Sequence, residues 1–539
     1  MRLIAMVVLG LALLLSVLYG GFIAGIVLRE PDVCFLLAMG RWMAQHGQIP
    51  VVDPFSYTSA AFPNGNAYVV YQWLSEVILY AIQSLAGPIA LLVFTAVLQG
   101  ITFIVIPLRL FALAGGNIVL GSIFVFIVTL ASLSHPSVRP EMFSFFMTAV
   151  LLELLARLAK RGSGNTAGNT AGNTAGNAID WRFIAFAFLL QVLWTNLHCL
   201  FIFYFILVGF FALCLGSYSL VKKEKLDGRF RTAVAALLAG ALATLINPYS
   251  FSIWPFTFLM LSDPINKTIN ELRPMSFAVL NNVLNYPWFL LAILSVVVFL
   301  FSLRKKVTSG EQLYFLFLTP AAIAMSFLAV RTFPLAALLM SCAIAFSPLL
   351  KSGDGKLAQL GKDCQSVIAP LGFMWLCSVS TFCGFGAYLL AAKIIPPTIP
   401  QGSAAFHPPF EAIRFLENDK SGSVKGNMLN GNMLKGNMLN DSHYGAVMMW
   451  QMANPPKVFV DPRYFLYNVA IMNDYWDMVL YRNKPEALLD KYKISWVFLP
   501  TSTALVRELS VQPAWHVLYS DKDAAVIARE KWQNDSRLP

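Results

Sequence analysis

Charge is what this chain has least of. Only 12% of its 539 residues are Asp, Glu, Lys or Arg, against about a quarter in a soluble globular domain. That shortage excludes an ordinary water-soluble enzyme. Metal-ligand spacing is missing as well. Cys34, Cys199, Cys214, Cys342, Cys364, Cys377 and Cys383 all lie in or beside apolar runs, and none has zinc-site spacing. Neither a metal framework nor a disulfide framework is indicated, and core packing accounts for them. A glycine-rich nucleotide loop is also absent.

What the chain has instead is hydrocarbon. Hydrophobic residues make up 57% of it, and apolar runs recur from Leu3 to Leu390. Runs of about 18 residues or more are long enough to cross a bilayer as helices. The run that follows the basic start "MRLIAMVV" is too long for a signal peptide and reads as a retained first span. After about Ile395 the composition turns mixed and polar. This predicts a multi-span domain over 1–395 and a soluble α/β domain over 396–539. The net charge of +11 does not imply nucleic acid. The basic residues cluster in short loops, around 157–161, 222–231, 304–306 and 351–362, where Lys and Arg mark the cytoplasmic side.

The parity of these clusters sets the topology. Five apolar stretches precede Arg157, and an even number must cross, so the shortest, at 72–86, is read as an interfacial helix. It contains Gln72, Glu76 and Gln83. The total is about eleven crossings, with the N-terminus in the cytoplasm and the tail domain outside the inner membrane. The loop 29–71 is then the first outer loop. The polar motifs "EPD" (30–32), "VVDPFSYT" (51–58), "SHPSVRPE" (134–141), "TNLH" (195–198), "INPYS" (246–250) and "VRTFPL" (330–335) all fall on that outer face. Ordinary loop polarity would enrich the inner loops equally, and those are basic but otherwise plain.

These motifs, with "QWLSEVILY", "INELRP", "VFVDPRYFLY" and "ISWVFLP", resemble a group of bacterial polytopic membrane proteins that look like C-type (GT-C) glycosyltransferases. They are distantly similar to protein O-mannosyltransferases and aminoarabinose transferases. The resemblance runs nearly end to end. It implies a lipid-linked sugar donor as co-substrate, on a polyprenyl phosphate, a divalent cation as a possible cofactor, and a glycan, lipid or protein acceptor on the outer face. The membrane lipid is the other partner.

Transfer from a lipid phosphate needs a base for the acceptor proton, cations for the departing phosphate and shelter from water. Carboxylates at a membrane boundary suit the first role, because partial desolvation raises a carboxyl toward neutrality. Asp32 matches the first-loop carboxylate of the resemblance and is the candidate base, with Glu30 as a second acid. Capping of a helix over 33–46 is the plainer reading of Asp32. Asp53, before Pro54, is read as a substrate or metal contact, or as a turn former. Arg139 and Arg331 lie at outer span ends, where guanidinium suits phosphate. Asn196 and His198 are candidates for sugar hydroxyls, and His135 is similar. Asp461 and Arg463 match the tail motif, as a substrate contact or a structural ion pair.

Two tandem repeats, "GNTAGNTAGNTAGN" (164–177) and "GNMLNGNMLKGNMLN" (426–440), have units too short for a repeat fold and read as neutral insertions. In the tail, 407–419 predicts an amphipathic helix, "KVFVDPRYFLY" and "ISWVFLP" each predict a strand, and "WHVLYSDKDAAVIARE" predicts two strands around a turn. The alternative function is a transporter or an envelope assembly scaffold. A transporter should carry ionisable groups near mid-bilayer, and Glu153 is the clearest acid within a span.

Overall fold

The structure, a computed structural model, describes residues 31–61, 68–116, 118–132, 138–161, 178–268, 272, 274–275, 285–350, 408–420, 434–483 and 485–530. The first span, Glu30, His135, the 164–177 repeat and the last expected crossing, 366–392, lie outside the described residues.

The described residues are mostly helical, and among them five helical stretches are long and apolar enough to cross a membrane. The first-loop helix α1 is Asp32–His46. Pro31 occupies its N-cap and no side chain caps it, so Asp32 is not the cap that the sequence suggested. Gly47 ends it with φ 65°, its N–H returning to the Met43 carbonyl. Helix α2, Trp73–Gly100, is broken at Gly87 (φ 76°, ψ −176°) just before Pro88. The break separates the expected interfacial segment from the apolar run behind it. Glycine alone takes such a backbone readily.

The bundle continues through α3 (Ile106–Ala114), α4 (Ile118–Ser132), α5 (Glu141–Arg161), α6 (Trp181–Leu197), α7 (Ile202–Lys222), α8 (Gly228–Ala243) and α9 (Ile253–Ser262). It closes with α10 (Tyr286–Leu303), α11 (Gly310–Leu328) and α12 (Phe333–Ala345). Helix α5 is central, with 78% of its apolar window buried, whereas α10 and α11 are peripheral at 28% and 33%. It packs on α2, α3, α6 and α12. Side chains cap the helices that start in polar loops: Asp180 accepts from the Phe183 N–H, Asp227 from Phe230 and Ser309 from Gln312.

The tail domain holds a four-stranded sheet in the order β1-β2-β4-β3. Its strands are β1 (Asn437–Asn440), β2 (Ile494–Pro500), β3 (Trp515–Ser520) and β4 (Ala524–Arg529). β1 runs parallel to β2, and the other pairs are antiparallel. Around it lie α13 (Phe410–Lys420), α14 (Ser442–Gln451), α15 (Val469–Val479), α16 (Pro485–Lys491) and α17 (Ala504–Leu509). Alternate residues of β2 face two different cores. Trp496 and Phe498 join the cluster that runs back into the membrane helices, while Val497 and Leu499 join a separate outer one.

Two expectations for the tail are corrected. "KVFVDPRYFLY" forms no strand; Val458 makes only an isolated bridge to Ser56. The last unit of the 426–440 repeat is not an idle insertion. It is β1, with Met438, Leu439 and Asn440 fully buried. The Asn440 amide donates to the Val460 and Asp441 carbonyls, and its oxygen accepts the Phe459 N–H.

Candidate functional site

The tail domain and the first loop meet at a buried joint. Arg463 Nη1 lies 3.0 Å from Asp53 Oδ1, and Nη2 lies 2.6 Å from Asp461 Oδ2. Arg463 also donates to the Tyr68 hydroxyl. The Tyr467 hydroxyl donates to Asp461. Asp53 accepts the N–H groups of Phe55 and Ser56 in addition. Burial pulls the guanidinium down, but Asp461 and Asp53 together hold it well above its ordinary value. Burial pushes the Asp53 carboxyl up against the pull of Arg463, and Asp461 adds to the rise. Asp53, Asp461 and Arg463 are therefore engaged with one another, and Asp53 is 3% exposed. Arg41 of α1 makes a second joint. It donates to the carbonyls of Met449, Trp450 and Met452 at the end of α14 and lies over the Trp450 ring.

Beside this joint two other ion pairs stand at helix starts. Asp32, in the first turn of α1, meets Arg139 at 2.8 Å (Oδ2 to Nη2). Both are about one-sixth exposed, at 18% and 15%. Glu141, first residue of α5, meets Arg331 Nε. Its carboxylate is 3% exposed and the guanidinium 27%. Arg139 and Glu141 belong to one motif, "VRPE", so the two pairs are neighbours through two residues of chain.

Tyr71 joins these groups. Burial raises its hydroxyl; Cys199, Glu76 and Glu141 add to the rise and Arg331 opposes it. Its ring packs on Phe465 of the tail domain (5.5 Å between centroids) and on Phe256 of α9 (5.8 Å). Burial pushes the Tyr464 hydroxyl up to about 12; the Ser442 hydrogen bond opposes this, while Asp441, Asp32 and Asp461 add to it. The tail domain thus packs against Tyr71 through Phe465.

His198 ends α6 and is buried, its Nδ1 2.9 Å from Ser144 Oγ and its Nε2 3.8 Å from Cys199 Sγ. The Trp194 indole donates to the same Ser144 oxygen at 2.8 Å. The Ser144 hydroxyl thus links the Trp194 indole and the His198 ring. Asn196 accepts from the Trp73 indole at 2.9 Å and donates to the carbonyls of Val192 and Ile246. It ties α2 to α6 and to the "INPYS" turn.

The sequence reading passed over Glu141 and Glu76 as site residues. Glu141 was visible as the acid closing "VRPE", but nothing in the sequence linked it to Arg331. Glu76 is 2% exposed; Gln72 donates to its Oε1 at 3.0 Å, while Oε2 has no hydrogen-bond partner among the described residues. Among the described residues no group of three His, Cys, Asp or Glu side chains comes together to hold a metal ion.

No family model and no curated protein matches the sequence. Solved structures do match. The fold is similar to that of the archaeal oligosaccharyltransferase AglB from Archaeoglobus fulgidus in complex with an inhibitory peptide and a dolichol-phosphate, with a TM-score of 0.55 and 12% identity over 98% of this chain and 74% of that one. The apo form of the Archaeoglobus fulgidus oligosaccharyltransferase gives 0.54 and 10% over the same shares. Its complex with Zn and sulfate gives 0.50 and 11% over 92% and 68%. The chain has a GT-C-like fold. It is an integral membrane protein with a small C-terminal sheet domain.

Proposed function

We propose that this protein is a membrane glycosyltransferase that moves a sugar from a polyprenyl-phosphate donor to an acceptor on the outer face of the inner membrane. The observation that carries the reading is the pairing of two carboxylates with two arginines, Asp32–Arg139 and Glu141–Arg331, at one mouth of a GT-C-like bundle. In this reading the N-terminus lies in the cytoplasm and the tail domain outside.

Arg139 and Arg331 are the groups that suit the donor phosphate, since guanidinium matches phosphate oxygens in pairs. While the resting pair is closed, Asp32 Oδ2 is engaged by Arg139. A phosphate that draws Arg139 away frees that oxygen to accept the proton of the acceptor hydroxyl. Donor binding would thus arm the base. Glu141 keeps Arg331 in place, and His198 and Asn196 are candidate contacts for sugar hydroxyls. Glu30 remains a candidate partner of Asp32, and a divalent cation a candidate cofactor. Asp53, Asp461 and Arg463 are assigned to docking of the tail domain rather than to substrate.

The test is transfer of labelled sugar in membranes by wild type and by Asp32→Asn at matched expression. General-base catalysis typically contributes about a hundred- to ten-thousandfold, and a loss in that range is expected. Equal rates would remove Asp32 from the mechanism. The transporter reading draws less support. Glu153, the clearest intraspan acid, is held by Arg109 at 2.7 Å and by Arg157 at 2.5 Å, a fixed ion pair and not a group open to a passing ion.

A further inference from the structure

The end of α6 away from His198 carries a second feature. Trp181 begins this helix and Leu197 ends it, so the two ends stand about 25 Å apart. A cavity of about 350 Å³ opens at the Trp181 end, where α5 stops and both α6 and α8 start; Arg161, Asp180, Trp181, Arg182, Arg229 and Thr232 are among its lining residues.

Its walls are fixed. The Asp180 N–H donates to Thr232 Oγ1 at 2.9 Å, and the Asp180 carboxylate pairs with Arg161. Arg229 is held by Asp227 at 2.6 Å and by Glu311 at 3.0 Å. Arg182, by contrast, is exposed and has no ion-pair partner among the described residues. The surroundings are strongly basic. Along 157–161, 180–182 and 222–231, nine basic residues stand against three acids, with Glu311 a fourth acid beside Arg229.

Two apolar stripes leave this cavity. On α6, Trp181, Phe186, Leu189 and Leu193 are 70%, 64%, 59% and 48% exposed; on α8, Leu238 and Leu242 are 67% and 63% exposed. Residues three, four and seven apart share one helix face, as Phe186, Leu189 and Leu193 do. The two helices pack on each other and both run away from the cavity. Such stripes alone are ordinary lipid-facing surface. A basic cavity at their common start is not.

We infer that this cavity binds the headgroup phosphate of an anionic glycerophospholipid, with its acyl chains along α6 and α8. Guanidinium groups take the phosphate, basic pockets between membrane helices on the cytoplasmic side take anionic headgroups, and Trp181 sits where indole prefers to lie, at headgroup level. The inference rests on the orientation given in the transferase reading but not on the transferase chemistry, and either can fail alone.

The experiment uses the full chain in detergent, exchanged against vesicles of phosphatidylglycerol or of phosphatidylcholine, with retained lipid counted by native mass spectrometry. Wild type should keep phosphatidylglycerol and release phosphatidylcholine, a comparison that needs no variant. Arg182→Glu changes the site by two charges and removes no internal contact. At about fivefold per charge, its affinity for phosphatidylglycerol should fall roughly twenty-fivefold, with an unchanged melting temperature. Equal retention of the two lipids by wild type overturns the inference, as does an Arg182→Glu variant that folds and still keeps phosphatidylglycerol. Displacement of the bound lipid by millimolar inorganic phosphate would overturn it too, in favour of a soluble phosphate ligand.

Discussion

Arg463 of the tail domain closes on Asp53 of the first loop at 3.0 Å, across 410 positions of sequence. Both side chains are almost wholly buried, at 4% and 1% exposure. The contact is one guanidinium shared by two carboxylates, since Asp461 takes its other side. The tail domain is fastened by this group and by Arg41, so the Phe465 ring it presents to Tyr71 has a fixed position.

Removing Arg463 should therefore detach more than one contact. Breaking a buried pair from one side costs about 3–5 kcal/mol, and Arg463→Ala should lose that much stability, measured by thermal unfolding and by protease cleavage of the tail. Arg463→Lys should recover part of it, because an ammonium reaches one carboxylate but not both in paired geometry. The defect should shrink in acid. Burial already raises the Asp53 carboxyl against the pull of Arg463, and without that pull it rises further. A carboxyl raised in the folded state binds its proton more tightly there, so the variant gains stability as pH falls through the carboxylate range. A defect that deepens in acid would contradict this account.

Arg331→Ala removes the guanidinium that meets the buried Glu141 carboxylate. Because Arg331 is 27% exposed, the cost belongs at the low end for such pairs, about 3 kcal/mol. Glu141→Gln combined with Arg331→Ala should restore much of that stability, yet should not restore use of the phosphate donor. Stability and donor KM measured on the three proteins separate the two roles.

The orientation predicts a labelling pattern. A cysteine at exposed position 511, in the tail domain, should react with a membrane-impermeant reagent on intact cells. One at exposed position 224 should react only after permeabilisation. Reaction at 224 on intact cells would reverse the assignment.

Deletion of 426–430 should leave the melting temperature unchanged. Deletion of 436–440 brings Lys435 to the place of Asn440. That loses the bonds to Val460, Asp441 and Phe459 and buries an ammonium, a cost of about 3 kcal/mol or more. Circular dichroism melts of the two deletions decide it.

Much of this was legible in the sequence. The apolar runs located the long helices, because hydrocarbon length is a local property. The expected interfacial segment, 72–86, ends where α2 breaks. β2, β3 and β4 were found by their β-branched and aromatic runs. What escaped was long-range. Nothing near Asp53 announces Arg463, nor does anything near Glu141 announce Arg331. Asp32 read equally well as a cap, since only the fold brings Arg139 to it. β1 was missed because the five-residue unit that holds it, 436–440, nearly repeats the ten residues before it, and identical sequence cannot say which copy meets β2.

That last ambiguity has a consequence for how this gene can change. The strand is set by whichever unit abuts Asp441, whose carboxylate accepts the first free N–H groups of α14. If replication slips and drops or gains a unit, the neighbouring copy inherits the position and supplies Gly-Asn-Met-Leu again. Only the fifth letter distinguishes a good replacement from a poor one, Asn430 from Lys435. Selection for the fold then acts on a single copy at a time, and the others are spare parts in which length can drift freely.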